Sequence, residues 1–425
     1  MPFPIFVGLD FGTSGARVCA IAANGEIEDF ARLDFGALAD HEMAPAWRTV
    51  LLDLLAGLPG GLRKRLATIA LDATSATVLA CDADLNALHP PLLYNDTRAR
   101  LEAAEIGALA GTEHPAASAS SGLAKVLWYR RHLTAGHPPR FLNQADWLTA
   151  LLSGQPGVSD YHNALKMGFD PSLPGWPAWM DAFLDRQCLP RVVAPGTSLG
   201  PIARAQALGI APDCLIRAGT TDSIAAFLAT GASQPGDAVT SLGTTLVLKL
   251  VSRQRIDDAS RGVYSHWFGQ HWLAGGASNA GGGVLRDFFD ATELAERSAQ
   301  IDPETDSGLN YYPLSRKGER FPINDPDMAP CLEPRPDDRT HFLHGLLEGL
   351  ARIEQSGYRC LADLGASPPR RIISTGGGSA NRVYARLRER HLGLAVEQAV
   401  HTEAAYGAAR LALHGTGLFS GASHD

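Results

Sequence analysis

Gly8-Leu9-Asp10-Phe11-Gly12-Thr13-Ser14-Gly15-Ala16-Arg17 is the stretch on which the reading of this chain turns. An apolar run from Ile5 to Leu9 stops at Asp10 and turns through Gly12-Thr13-Ser14. A second run, Arg17 to Ala22, then meets Asn24-Gly25, a strong two-residue hairpin signal. The chain therefore opens strand, tight turn, strand, hairpin. The centre of the chain repeats the pattern: Ala238 to Leu242 is apolar and β-prone, reaches Gly243-Thr244-Thr245, and continues as a strand from Leu246 to Val251. Phe268-Gly269-Gln270-His271-Trp272 reads as a turn into a further strand ending in Gly275-Gly276. Gly12-Thr13 and Gly243-Thr244 thus mark a weak internal duplication, which predicts two similar lobes, each with a glycine turn at the end of its first strand.

Between and after these segments, strands alternate with helices, the pattern of an α/β architecture. Trp47 to Leu58 has helical periodicity. Ile69 to Leu71 is a strand ending in Asp72-Ala73-Thr74-Ser75, with Val78 to Cys81 expected as its partner. Residues 136–140 and 171–177 are rich in Pro and Gly and read as loops. Arg371 to Ser374 is a strand leading through Thr375 into Gly376-Gly377-Gly378-Ser379-Ala380-Asn381. A helix is expected from about Arg382 to His391 and a closing helix from Thr402 to Leu413.

The 425 residues are too many for one ordinary core, so two or three domains are expected. Apolar residues at 45% and charged residues at 19% describe a globular chain, and a net charge of −8 argues against a nucleic-acid or anionic-membrane surface. The six cysteines are scattered without a CxxC pair, which disfavours a disulfide framework or zinc site and fits a reducing cytosol. The N-terminus has no basic n-region or long apolar h-region, and no run of about 18 apolar residues would span a bilayer. A cytoplasmic location is the expectation, as a monomer or homodimer.

Asp10 and Asp222 both stand at strand ends beside glycine or threonine, the latter in Ala218-Gly219-Thr220-Thr221-Asp222-Ser223. Phosphoryl transfer needs anions to hold Mg²⁺ and gains from a carboxylate that accepts the proton of the attacking hydroxyl. Neighbouring glycines let backbone N–H groups approach phosphate oxygens. Each element has an ordinary reading too: an Asp-x-Gly-Thr is often a plain turn, and Gly376 to Gly378 a plain loop. A P-loop is excluded, because none of the five lysines follows a glycine. Any nucleotide must be held mainly by glycine backbone and hydroxyl groups. Tyr94-Asn95-Asp96-Thr97-Arg98 suits a polyol, with polar groups for hydroxyls and a ring for the carbon face. Equally, Asp96 or Thr97 could cap a helix running through Ala110. His341, His344 and Glu348 have the spacing of a metal face, but the run from Phe342 to Ile353 is simply amphipathic. No G-x-S-x-G elbow supports hydrolysis.

Taken in order, Gly8 to Arg17, Asp72 to Ser75, Tyr94 to Arg98, Asp160 to Ala164, Gly219 to Asp222, Ser241 to Thr245 and Gly376 to Asn381 resemble the FGGY carbohydrate kinases over nearly the whole chain. Within that family the chain is most similar to the short D-ribulose kinases of the cyanobacterial and plant type, formerly labelled xylulose kinases. The resemblance implies two actin-like, ribonuclease-H-fold lobes with an active-site cleft between them. It implies a sugar-binding N-terminal lobe, residues 1–229 with a return of 403–425, and an ATP-binding lobe, residues 230–402. ATP, Mg²⁺ and a small sugar are the implied ligands.

The implied roles follow the matching positions. Asp222 would be the general base, and Asp10 would help to hold Mg²⁺ near the sugar. Gly12 and Thr13 would touch the transferring phosphate. Ser14, Gly15, Ala16 and Arg17, with Thr74 and Ser75, would line the sugar pocket. Gly243, Thr244 and Thr245 would hold ATP phosphates, and Gly376, Gly377 and Asn381 would flank the adenosine. The chain departs from the wider family at Tyr94, where many members have Trp, and in Gly281 to Asp287, which lacks the usual tryptophan. The implied reaction gives D-ribulose 5-phosphate. The rival readings are another pentulose or a pentitol as acceptor and, in a different class, an actin-like ATP-binding regulator with no sugar substrate.

Overall fold

The structure, a computed structural model, describes residues 3–133 and 139–419. The expected loop at 136–140 lies largely outside these residues, as does the end of the expected return of 403–425. The chain forms two compact units, Met1–Gly231 with Glu403–Asp425, and Ala232–Thr402.

The first unit is built on a seven-stranded sheet. Ile5–Phe11, Gly15–Ile21 and Ile27–Asp34 form an antiparallel meander, and Leu66–Ala73 joins Ile5–Phe11 in parallel. Leu215–Arg217 and the short strand Thr220–Thr221 both pair with Leu66–Ala73 in parallel. The first strand is buried along almost its whole length, as expected where both faces of a sheet are covered. One cover is the closing helix, Ala404–His414, whose backbone lies so near Gly8 that a Cβ there would stand 2.1 Å from Ala405 O and Ala409 N. Thr68 Oγ1 donates to Ala412 O at 2.6 Å from the neighbouring strand. The other cover includes the helices Met43–Gly57 and Gln144–Ser153, whose Trp47 and Trp147 meet edge-on in the core.

Two local expectations fail here. Val78–Cys81 pairs with Arg140–Asn143 and not with the strand that precedes it. The helix Arg100–Ala110 has Ala99 at its N-cap with no side-chain bond, because Asp96 is engaged elsewhere by Arg98.

The second unit has a six-stranded sheet in which Asp237–Leu242, Leu246–Ser252, His271–Ser278 and Tyr264–Phe268 are successive antiparallel neighbours. Arg371–Thr375 joins Asp237–Leu242 in parallel, followed by Val396–Gln398. This repeats the plan of the first sheet: a first strand, a glycine turn, an antiparallel return, then parallel strands on the other side. The predicted internal duplication is therefore present in the two topologies. The long helix Arg339–Asp363 and the helix Arg382–Leu392 pack on the sheet and meet at a buried ion pair. Arg388 Nε and Nη2 donate to the two Glu354 oxygens at 2.6 and 2.7 Å, and Nη1 donates to Ser374 Oγ at 2.6 Å. Glu348, on the long helix, accepts from Ser307 N and Oγ at 3.0 and 2.5 Å and from Arg390, so it serves the fold. Among the described residues no helix is long and apolar enough to cross a membrane.

Candidate active site

In the first unit, the carboxyl ends of three adjacent parallel strands stop at one level, where open α/β sheets place their ligands. Asp10 is the register partner of Asp72, and Asp72 is also the register partner of Thr220, two residues before Asp222. The sheet thus delivers Asp10, Asp72 and Asp222 to one edge. Asp10 is 4% exposed and Asp72 is fully buried. Arg17, facing Asp10 from the antiparallel neighbour, donates Nη1 to Asp10 Oδ2 at 2.8 Å and reaches Glu403 at 3.2 Å.

Among the described residues no N–H or O–H donates to either Asp72 oxygen. Burial, and then the charges of Asp10 and Asp222, push the Asp72 carboxyl well above the usual carboxylate range; Arg17 opposes this. Asp72, beside Asp10, therefore holds its proton to higher pH than an ordinary carboxyl. Asp222 opens the helix Asp222–Ala229, half-buried, with its Oδ1 accepting from Ser223 N at 2.6 Å.

Beside this edge lies a cavity of about 250 Å³. Gly12, Thr13 and Thr74 line it with Tyr94, Gln144 and the apolar Phe35 and Trp47. Thr74 Oγ1 bonds Thr77 Oγ1 at 2.6 Å and Gln144 Oε1 at 2.7 Å. The wall is held from behind by Lys125, fully buried, which donates to Ala76 O at 2.7 Å and to Leu93 O at 2.6 Å. Burial brings that ammonium down to about 7, despite the Asp96 charge.

The sequence-predicted residues divide. Asp10, Gly12, Thr13, Arg17, Thr74 and Asp222 lie at the strand edge or the cavity. Ser75 is half-buried on the turn that follows Thr74, and Ser14 is exposed on the turn before the second strand. The Ala16 methyl is buried in the core, and Gly15 packs so closely on Leu33 O that a Cβ would come to 2.6 Å; these two could offer a ligand only backbone. Asp160 to Ala164 is a capped helical turn: Asp160 Oδ1 accepts from His162 N and Asn163 N at 2.8 and 3.1 Å. Asp72, Gln144 and Lys125 were not singled out by sequence, although Asp72 lay within a quoted motif.

In the second unit, a cavity of about 630 Å³ is lined by three glycine segments: Gly243 with Thr244, Gly281 with Gly282, and Gly377 with Gly378. Leu285, Phe289, Leu294, Leu347 and Leu350 form an apolar wall, and Asn381 and Tyr384 complete the lining. Glycine amides suit phosphate oxygens, and an apolar slot suits a purine. Asn381 is already engaged, accepting from Tyr384 N at 3.0 Å and donating to Ser298 Oγ at 2.9 Å. Gly376 has φ 81°, and a Cβ there would meet Leu242 O at 2.8 Å, so it shapes the turn and does not line the cavity. Thr245 starts the strand side of the turn and is likewise outside the lining. In this cavity sequence assigned no role to Arg286: it lines the cavity and donates Nη2 to Thr244 Oγ1 at 2.6 Å, the one cation among the lining residues.

The two glycine turns are equivalent in a further respect. Neither Gly12 nor Gly243 has positive φ, and a Cβ at either would meet nothing nearer than 3.6 Å. The fold itself does not demand glycine there, whereas a phosphate approaching the backbone would.

Two glycine-turned α/β units of this topology define an actin-like ATPase fold. A solved xylulose kinase from Rhodospirillum rubrum superposes with a TM-score of 0.82 at 23% identity, covering 97% of this chain and 90% of its own. Residues 238–416 match the C-terminal domain of the FGGY family of carbohydrate kinases. Among curated relatives, a xylulose kinase of Streptomyces coelicolor is 26% identical over 93% of this chain and 84% of its own length. A gluconokinase of Bacillus subtilis is 22% identical over 90% and 81%, respectively.

Proposed function

We propose that the protein transfers the γ-phosphate of ATP to the terminal hydroxyl of D-ribulose, giving D-ribulose 5-phosphate and ADP. The observation that carries the reading is the delivery of Asp10, Asp72 and Asp222 to one strand edge beside a cavity lined by hydroxyl, amide and aromatic groups. Asp222 takes the proton of the attacking hydroxyl. Asp10, oriented by Arg17, is the residue that would hold Mg²⁺; one or two carboxylates with waters and phosphate oxygens are its usual set, and among the described residues no group of three or more acids, histidines or cysteines forms a cage of its own. The ion, arriving with ATP, supplies neutralisation of phosphate charge. Gly12 and Thr13 meet the transferring group, while Gly243, Thr244 and Arg286 hold the polyphosphate. With so little covalent work for the protein, positioning and charge stabilisation carry the catalysis.

D-Xylulose, the C3 epimer, is the second reading, favoured by the name of the Streptomyces coelicolor relative. Coupled ADP release measured against D-ribulose, D-xylulose, ribitol and glycerol separates the two. ATP turnover indifferent to every acceptor would sink the kinase reading in favour of an ATP-binding regulator.

A further inference from the structure

Lys125 is completely buried on the helix Gly122–His132, whose Leu123, Ala124, Val126 and Leu127 belong to an apolar cluster. Among the described residues no carboxylate comes within ion-pair distance of its ammonium. Asp96, which attracts it, is bound by Arg98 instead. A buried charge is costly unless hydrogen-bonded, and packing alone would be served here by leucine or methionine. What the ammonium does have is two short bonds to main-chain carbonyls, to Ala76 O at 2.7 Å and to Leu93 O at 2.6 Å.

Those two carbonyls belong to two segments that line the acceptor cavity. Ala76 sits in the turn from Thr74 to Thr77 with φ 65°, a left-handed backbone that a residue with a side chain keeps only under outside support. Thr74, at the head of that turn, lines the cavity, and its hydroxyl bonds Thr77 and the lining residue Gln144. Leu93 and Tyr94 line the cavity from the second segment. The two segments are joined main chain to main chain at Val78 and Leu92, by bonds of 3.0 Å in each direction. Past that bridge, among the described residues, no bond joins the turn directly to Leu93 or Tyr94; Lys125 spans the gap. Tyr129, one turn further along the helix, accepts from Leu92 N at 3.0 Å, so the helix holds this segment at two points. The cavity so bounded, about 250 Å³, is below the ~300–1,000 Å³ usual for small-molecule pockets.

We infer that Lys125 is a positioning residue for the acceptor: its ammonium ties the Leu93–Tyr94 segment to the turn at Thr74, fixes the spacing of these two cavity walls, and so confines the acceptor to a chain of about five carbons. The inference rests on the kinase reading above and deepens it by naming what sets the length of the acceptor. Lys125 acts through Thr74, Leu93 and Tyr94 and not by touching the sugar. Without the tie the walls part, a pentulose loses contacts on one side, and a longer ketose gains room.

The test uses the full-length protein with saturating Mg-ATP and reads ADP release. The acceptors are whichever of D-ribulose and D-xylulose wild type turns over faster, and the longer ketose D-fructose. Lys125→Met, which keeps an apolar stem and removes the ammonium, is expected to raise KM for the pentulose ~10- to 100-fold, the size of a lost charge-assisted bond, with kcat and KM for ATP nearly unchanged. The preference for the pentulose over D-fructose in kcat/KM should fall by at least ~10-fold. A Lys125→Met protein that melts cooperatively and keeps both the pentulose KM and that preference would overturn the inference and leave the kinase reading standing. So would equal rises in KM for the pentulose and for ATP, the mark of a general loosening. Should Lys125→Met fail to fold, hydrogen exchange in wild type decides. Asp96 N donates at 2.9 Å to Leu93 O, the carbonyl that Lys125 holds. Saturating pentulose should slow exchange of the Asp96 amide, and an amide indifferent to the sugar would overturn the inference. Wild-type ATP turnover independent of any acceptor would remove the kinase reading itself, before any variant is made.

Discussion

Asp10 and Asp72 are register partners on adjacent parallel strands, so two carboxyl groups are held side by side in a site almost closed to water. Arg17 binds one of them, and among the described residues no donor binds the other. Two neighbouring buried carboxyls do not both ionise readily, and the one without an external donor is the harder to ionise. In its neutral form Asp72 can donate to Asp10, fixing the orientation of the carboxylate proposed to meet the metal.

This arrangement has a pH signature. The folded-state pKa of Asp72 is raised, so between the ordinary carboxyl range near ~4 and that raised value the folded protein binds the extra proton and the unfolded chain does not. Its contribution to stability is therefore fully present at low pH and falls as pH rises through that window. Asp72→Asn, which cannot ionise, should raise the melting temperature, and more at pH 8 than at pH 5. Thermal unfolding at the two values checks this; an equal effect at both would show that Asp72 is not the protonated partner.

Asp222→Asn keeps the size and the N-terminal position on its helix but cannot take a proton. Turnover should fall by ~10²–10⁴-fold, the usual range for a lost general base, with ATP affinity little changed. Steady-state kinetics alongside nucleotide-binding calorimetry measure both quantities. Near-normal sugar-dependent ADP release would refute the assignment.

Arg286→Ala should act on the other substrate. Removing the cation beside Thr244 is expected to raise KM for ATP by ~10- to 100-fold, as for a charge-assisted bond to phosphate, while KM for the sugar stays put. Initial-rate measurements with each substrate varied in turn resolve the two. A change confined to the sugar KM would mean that Arg286 does not serve the nucleotide.

Arg388 is buried with its guanidinium divided between Glu354 and Ser374. Arg388→Met strands the Glu354 charge, and breaking a buried pair from one side costs about 3–5 kcal/mol. The Arg388→Met, Glu354→Leu double substitution should recover much of that loss. Urea unfolding of the three proteins gives the comparison; a double variant no more stable than Arg388→Met would contradict it.

Much of the fold was legible because local patterns and global topology agree. Gly12-Thr13 and Gly243-Thr244 announce turns between apolar runs, and both sheets begin there. The pairing of Val78–Cys81 was misread because strand signals report only what is near in sequence, and its true partner Arg140–Asn143 lies far along the chain. Asp96 looked like a cap, but a guanidinium two residues away outbid the helix for it. The site was legible where a motif carries its own turn, as at Asp10 and Asp222. Gln144 was invisible, since nothing in its own neighbourhood says that folding brings it beside residue 74. Arg286 lay inside a stretch noticed only for a missing tryptophan.

The helix that completes the first unit is made after the whole of the second. Gly8 admits the backbone of Ala405 and Ala409, and Gly407 in turn lies so near Ala225 that a Cβ would reach Ala225 O at 1.8 Å. During synthesis the opening sheet must therefore wait, one flank uncovered, while the whole intervening unit emerges from the ribosome. A nascent chain of this protein passes through a long interval in which that flank is open to chaperones and to aggregation, and a premature stop near residue 400 would cripple the half of the molecule made first.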